Sequence, residues 1–232
     1  MALTLVSCLL EKNIHPLITY RNLKGKERIQ MELGAKAAMV ELIHLDFCDR
    51  TSLLNLDACL KYRVDYMVDF AHSDYQSLMA GAKDDEIKNY FFTNVSVRAM
   101  VLKRVARCML TKRFGRLVFI SSTAAKNPNP GQGFYAASKL AVEALYRNLG
   151  LEMASKGITT AILRPGFVDV GRGQRYLKSE DQKFRLLKKQ GRIITTQDIS
   201  KAVLFLLLTA GTSINGTVLT VDGGMTIGKG DK

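Results

Sequence analysis

Residues 115–122 read Gly115-Arg116-Leu117-Val118-Phe119-Ile120-Ser121-Ser122, and thirteen residues beyond Ser122 the chain continues Tyr135-Ala136-Ala137-Ser138-Lys139. The first string is a short apolar run ending in two hydroxyls, the pattern of a strand buried on both faces that stops at a turn. The second opens a helical pattern reaching Lys156. Positions i and i+4 share a helix face, so Tyr135 and Lys139 point into one volume. A free phenol titrates near pKa ~10 and is a poor acid–base catalyst at neutral pH, whereas a cation within about 4–6 Å favours the phenolate. That is a chemical reason for the spacing, although ordinary surface neighbours share it and Y-x-x-x-K alone is weak. Parallel sheets bind ligands outside the carboxyl ends of their strands, where Ser122 falls; a Ser ending a strand is otherwise a routine turn residue.

On either side of this segment the chain alternates short β-branched runs with helical patterns. The strands expected are Pro16–Tyr20, Met39–Leu45, Tyr66–Phe70, Leu117–Ser121, Thr159–Leu163 and Thr217–Val221. The helices expected are Leu5–Lys12, Lys26–Leu33, Ser52–Lys61, Ile87–Thr111, Tyr135–Lys156 and Ile199–Leu208. Such alternation predicts an α/β fold with a doubly wound parallel sheet. With no repeat, Pro-rich linker or low-complexity tract, residues 1–232 read as one domain. The polar stretch Gly171–Arg192 is long for a connection and reads as a lid.

Hydrophobic residues make up 47% and charged residues 24% of the chain, the balance of a globular protein with a core. The longest aliphatic run, Ala202–Leu208, falls far short of the ~20 residues of a membrane span. The apolar N-terminus lacks the basic start of a secretory signal. Four cysteines without paired spacing fit a reducing cytoplasm, and three histidines in no ligand pattern with them argue against a metal site. The net charge is +13, concentrated in two stretches. Val95–Arg116 carries seven basic residues and no acid, and Gly171–Arg192 carries eight basic residues against Glu180 and Asp181. Either could be a solvated surface or a docking face for an acidic partner. No nucleic-acid recognition module accompanies the charge.

Asn94 in NVSV, Ser122 in ISS, Tyr135 and Lys139 in YAASK, Pro165-Gly166, and the ending INGTVLTVDGGM follow one another in an order that resembles the short-chain dehydrogenase/reductase family, within it the 3-oxoacyl-acyl-carrier-protein reductase type. The resemblance runs from about Leu9 to Met225 and implies a Rossmann-type sheet, a nicotinamide cofactor, carbonyl reduction and a homotetramer with the helices Ile87–Thr111 and Tyr135–Lys156 at its main interface. By the family pattern Tyr135 donates a proton to the carbonyl oxygen, Ser122 holds that oxygen, Lys139 assists the phenol and binds the nicotinamide ribose, and Asn94 holds a relay water. A local kink is the plainer reading of Asn94, since Asn is a mediocre helix former. Arg21 and Asn22, after the second family strand, stand where NADP readers place basic and polar groups and NAD readers an acid, so NADP(H) is expected. Asp46 and Ala71 would contact the adenosine side, although Asp46 could equally cap a helix. Pro165, Gly166 and Val168 would line the nicotinamide. Arg113 and Lys156 match positions that dock an acyl carrier protein.

Three departures accompany the resemblance. The family's first strand and its T-G-x-x-x-G-x-G turn, which cradles the pyrophosphate on backbone N–H groups, precede nothing here: the sequence enters the pattern inside the first helix. Six strands are therefore expected rather than seven, with a gap of two sheet spacings, ~9.6 Å, where a central strand would lie. The chain reads as starting at an internal methionine or as a degenerate form. N-N-A-G is replaced by Asp69-Phe70-Ala71-His72, and the Thr that would anchor the nicotinamide carboxamide is Val170. A non-catalytic homologue serving as a binding or interaction subunit stays open as the alternative.

Overall fold

The computed structural model describes residues 1–60, 64–171, 173–174, 179–209 and 211–227, and of residues 182, 186, 188 and 189 only the backbone. Lys61, at the end of one expected helix, and Arg172, Arg175 and Lys178 of the expected lid lie outside the described residues, as do the side chains of Lys188 and Lys189.

Six strands are present among the described residues: β1 Leu17–Tyr20, β2 Glu41–His44, β3 Tyr66–Asp69, β4 Gly115–Ile120, β5 Ile158–Pro165 and β6 Thr217–Val221. All pairings are parallel, but the strands form two sheets: β1 with β2, and β3-β4-β5-β6 in that order. The six parallel strands are as expected, and the gap expected where a central strand would lie divides them into these two sheets. Among the described residues no strand pairs with both β1 and β3, so the backbone ladder is interrupted there. The residues expected to be helical before β1 are helical: α1 spans Ala2–Leu10.

α1 holds the two sheets together. Its apolar sequence gives it two adjacent greasy faces instead of one. Leu5 and Leu9 pack into the cluster under the four-stranded sheet with Val118, Ile120, Ala161 and Leu163. Val6 and Leu10, one position on, pack with Ile29 and Leu33 of α2 (Leu23–Leu33), against which Ile18 and Leu42 of the small sheet lean. On the opposite face of the large sheet, Val97, Val101 and Val105 of one helix and Val142 and Tyr146 of another cover Leu117, Phe119 and Ile162. β4 is buried along its whole length, the apolar run Leu117–Ile120 following a buried Arg116.

α3 spans Leu53–Cys59. The long helix expected over Ile87–Thr111 is in fact α4 Asp84–Phe91, a π-helical turn Phe92–Ser96, and α5 Val97–Leu110. α6 runs Gly133–Met153, close to expectation. Within the expected lid, Glu180–Gln190 forms α7, and α8 Thr196–Leu204 follows under a reciprocal cap between Thr195 and Asp198. Among the described residues no helix is long and apolar enough to cross a membrane, and no disulfide joins any of the four cysteines.

Candidate active site

The carboxyl ends of β4 and β5 and the first turns of α6 bring most of the expected catalytic groups together. Ser122 follows β4 in extended conformation, and its Oγ accepts a bond from the Ala124 amide at 3.2 Å, capping a single 3₁₀ turn. Tyr135 and Lys139 occupy the first and second turns of α6 and are both largely buried. The Lys139 ammonium donates to the Ile120 carbonyl at 2.8 Å, the last of β4, and lies 4.8 Å from the Phe119 ring centre and 5.8 Å from that of Tyr135. The i, i+4 spacing thus puts a cation beside the phenol ring and ties α6 to the end of β4.

Asn94 sits in the π-helical turn, a local irregularity of the kind that marks functional sites. Its amide donates to Ser73 Oγ at 2.5 Å and to the Tyr90 carbonyl at 3.0 Å, and its oxygen accepts from the Ser73 amide at 3.2 Å. It therefore anchors the turn that follows β3. The same turn is gripped by Arg98, whose guanidinium pairs with Asp69 and reaches the Ala71 carbonyl at 2.5 Å. His72, between these two anchors, lays its ring 4.8 Å from Tyr135, edge to face. Sequence reasoning did not single out His72 as a site residue; its signal was its position in the altered D-F-A-H string.

Two residues counted as basic surface are buried. Arg98 is 2% exposed as the partner of Asp69, and Arg116 is 6% exposed with its guanidinium on the Gly115 and Gly157 carbonyls. The charge excess of Val95–Arg116 is accordingly smaller at the surface than in the sequence.

Of the residues expected on the adenosine side, Arg21, Asn22 and Asp46 gather at the carboxyl ends of β1 and β2. Arg21, largely exposed, stands 3.4 Å from the Asp46 carboxylate. Asp46 accepts from the Cys48 amide, and Asn22 caps α2 by accepting from the Gly25 amide, both at 2.9 Å. Asp46 makes a local turn contact and is not the helix cap weighed for it, the next 3₁₀ turn being capped by Asp49, whereas Asn22 is a helix cap. Ala71 lies past the end of β3, across the interruption between the sheets.

On the nicotinamide side, Pro165 ends β5 opposite Val221, and the Gly166 amide continues the ladder to the Val221 carbonyl at 2.9 Å. A Cβ on Gly166 would stand 2.8 Å from Gln190 Oε1 and 2.9 Å from Asp222 Cβ, so only glycine allows this approach. Val168 is buried and bridges Ile194, while Val170 leans on the same apolar cluster. Gln190, fully buried at the end of α7, accepts from the Phe167 amide and donates to its carbonyl, both at 3.3 Å, fastening the lid segment to the β5 loop. No spacing or composition singled it out.

Arg113 and Lys156 are neighbours, but at the other end of the sheet. The Arg113 guanidinium donates to the Ser155 carbonyl at 3.1 Å, and a Cβ on Gly157 would stand 2.3 Å from the Arg113 carbonyl oxygen. Both precede the amino ends of β4 and β5, separated from Tyr135 by the length of α6, about 30 Å at 1.5 Å per residue. Within one chain, the two residues expected to dock a carrier end the long helices away from Tyr135.

A hydroxyl, a phenol and an ammonium converging at strand ends suit a carbonyl and a ribose, so this donor set fits the nicotinamide half of a dinucleotide. The pyrophosphate side is different: α1 starts without a side-chain cap, and no glycine-rich turn lies before it in the sequence given. Among the described residues, no three His, Cys, Asp or Glu side chains are placed to hold a metal.

A family model described as Enoyl-(Acyl carrier protein) reductase matches residues 1–226. The 3-oxoacyl-[acyl-carrier-protein] reductase of Haemophilus influenzae is 32% identical over 207 residues, covering 87% of this chain and 84% of the relative. Its counterpart in Escherichia coli is 32% identical over 203 residues, covering 87% and 82%. Among solved structures, a short chain dehydrogenase/reductase family protein matches with a TM-score of 0.84 at 24% identity, covering 96% of this chain and 91% of that one. With the tyrosine, lysine and serine at the ends of a parallel sheet and this likeness along nearly its whole length, the chain belongs to the short-chain dehydrogenase/reductase family of NAD(P)-dependent oxidoreductases.

Proposed function

We propose that this chain reduces a carbonyl with NADPH, its substrate a 3-oxoacyl thioester carried on acyl carrier protein or coenzyme A. The observation that carries the reading is the shared face of Tyr135 and Lys139 fastened to the strand that presents Ser122. NADPH supplies the hydride when bound. Ser122 donates a hydrogen bond to the carbonyl oxygen and stabilises the charge that grows on it, a donor fixed in place before reaction. Tyr135 gives its proton to that oxygen, and Lys139 keeps positive charge beside the phenol and reaches the ribose. Asn94 holds the turn carrying His72 against Tyr135 and closes one side of the site. Arg21 selects the 2′-phosphate, with Asp46 orienting its guanidinium. Four cysteines without paired spacing suit a cytoplasmic enzyme.

Docking of an acidic carrier belongs to a homo-oligomer. If α5 and α6 of two copies pack antiparallel about a two-fold axis, the basic end of one copy's helices, with Arg113 and Lys156, faces the other copy's Tyr135 end. The exposed Leu140 and Leu151 on α6 suit burial in such a contact. The test is steady-state kinetics with a 3-oxoacyl carrier-protein thioester and a short free thioester. Reversing Arg113 and Lys156 to Glu raises KM for the carrier substrate alone, and the effect fades with salt because the Debye length is ~10 Å at 0.1 M. Equal losses on both substrates would remove the carrier from the reading.

The interruption between β1 and β3 favours a second reading, a binding subunit without turnover, because it falls between the adenosine and nicotinamide halves of the cofactor site. Absence of any NADPH oxidation with either thioester, in a folded protein that still binds an acyl carrier protein, would select it.

A further inference from the structure

Behind the candidate catalytic groups lies a buried polar cluster that the proposed mechanism does not use. The Glu143 carboxylate, 3% exposed, accepts from Ser121 Oγ at 2.5 Å and from Arg164 Nε at 2.8 Å through one oxygen, and from Arg164 Nη2 at 2.5 Å through the other. Ser121 is likewise buried, and the Arg164 side chain is 15% exposed. Burying two charges is costly, and apolar residues of similar volume often serve stability as well or better, so stability alone is a weak reason for the cluster.

Its connections suggest another. Ser121 immediately precedes Ser122 on β4. Arg164 immediately precedes Pro165-Gly166 on β5. Glu143 lies one turn beyond Lys139 and two beyond Tyr135, on the same face of α6. One carboxylate therefore joins the three elements that present the proton donor, the oxyanion donor and the nicotinamide loop. Apolar contacts alone leave a helix free to slide and rotate slightly over a sheet. Three short directional bonds do not, and a misplacement near 1 Å costs about 10²-fold in rate.

We propose that Glu143 is a positioning residue, fixing the register of α6 against β4 and β5 through Ser121 and Arg164 so that Ser122, Tyr135 and the Pro165-Gly166 loop share one geometry. The kinetic side of this rests on the carbonyl-reductase reading; the geometric side does not. The test replaces the charged pair with apolar residues, Glu143→Leu with Arg164→Met, and compares melting temperature, kcat, KM and local hydrogen exchange with the unaltered chain. The expected result is a melting temperature near or above that of the starting protein, kcat lower by about ten- to a hundredfold with KM little changed, and faster exchange of the Ala124 and Gly166 amides while the interior of β4 keeps its protection. Unchanged kcat together with unchanged exchange would make the cluster merely structural and overturn the proposal. If the unaltered chain has no turnover, the reductase reading fails, and the exchange of Ala124 and Gly166 alone decides for or against positioning. Should the double variant not fold, Ser121→Ala removes only the β4 arm; accelerated exchange at Ala124 with global stability retained supports the proposal, and unchanged exchange overturns it.

Discussion

On the proposed mechanism, removing one oxygen from Tyr135 takes away the proton that the carbonyl oxygen needs, while the ring keeps its contacts with His72 and with the Lys139 ammonium. Tyr135→Phe should therefore fold normally and, in a form that binds cofactor, lose about 10²-fold or more in kcat, the scale of a lost general acid; stopped-flow or steady-state NADPH oxidation checks it. At the other end of the cofactor site, Arg21 is the basic group expected to prefer a 2′-phosphate. Arg21→Ala should bring NADPH and NADH affinities together, read by fluorescence titration of each, and equal affinities in the unaltered chain would remove Arg21 from selection. Both residues were visible in the sequence because their chemistry is tied to a short spacing or to a strand end. His72 and Gln190 were not, since a lone histidine in a loop and a glutamine in a charge-rich helix acquire meaning only from what they touch.

Among the elements, α8 offers the clearest titration. The Arg192 guanidinium, then the Thr195 amide, hold the Asp198 carboxyl well below the usual carboxylate range. A carboxylate depressed on folding contributes stability that is fully present above its unfolded value, near ~3.9, and is lost as pH falls through the folded value. Asp198→Ala should cost about 1 kcal/mol at pH 7, the worth of a helix cap in an exposed setting, and thermal melts should show that difference shrinking as the pH drops below about 4. The S/T-x-x-D spacing of Thr195 and Asp198 is a sequence signal of helix entry, and the structure forms it reciprocally. The irregularity at Asn94 was legible as a local kink, since Asn is a mediocre helix former, but not its π-helical form or its bonds to Ser73.

The whole molecule is a large sheet and a small one joined by α1 on one face and by Leu45 and α3 on the other, so its stability should be uneven. Amides of β1 and β2 should exchange faster than those of β4 and β5, because the small sheet has two strands and one modest apolar cluster. Leu5→Ala, at the α1 position facing the large cluster, should cost about 2–5 kcal/mol in urea melts, as a buried leucine does. A uniform exchange pattern would mean that the two sheets unfold as one. By itself the sequence determined the class of fold, six parallel strands, the Tyr135–Lys139 face and Ser122 at a strand end, because those follow from periodicities of two and 3.6 residues and from a few fixed spacings. The tertiary structure alone decided that α1 lies across the gap between β1 and β3, that Arg98 and Arg116 are core residues and not surface charge, and that Ser121, Glu143 and Arg164 meet. These depend on packing between segments distant in the chain, where burial and hydrogen-bond partners are set by neighbours that no local pattern names.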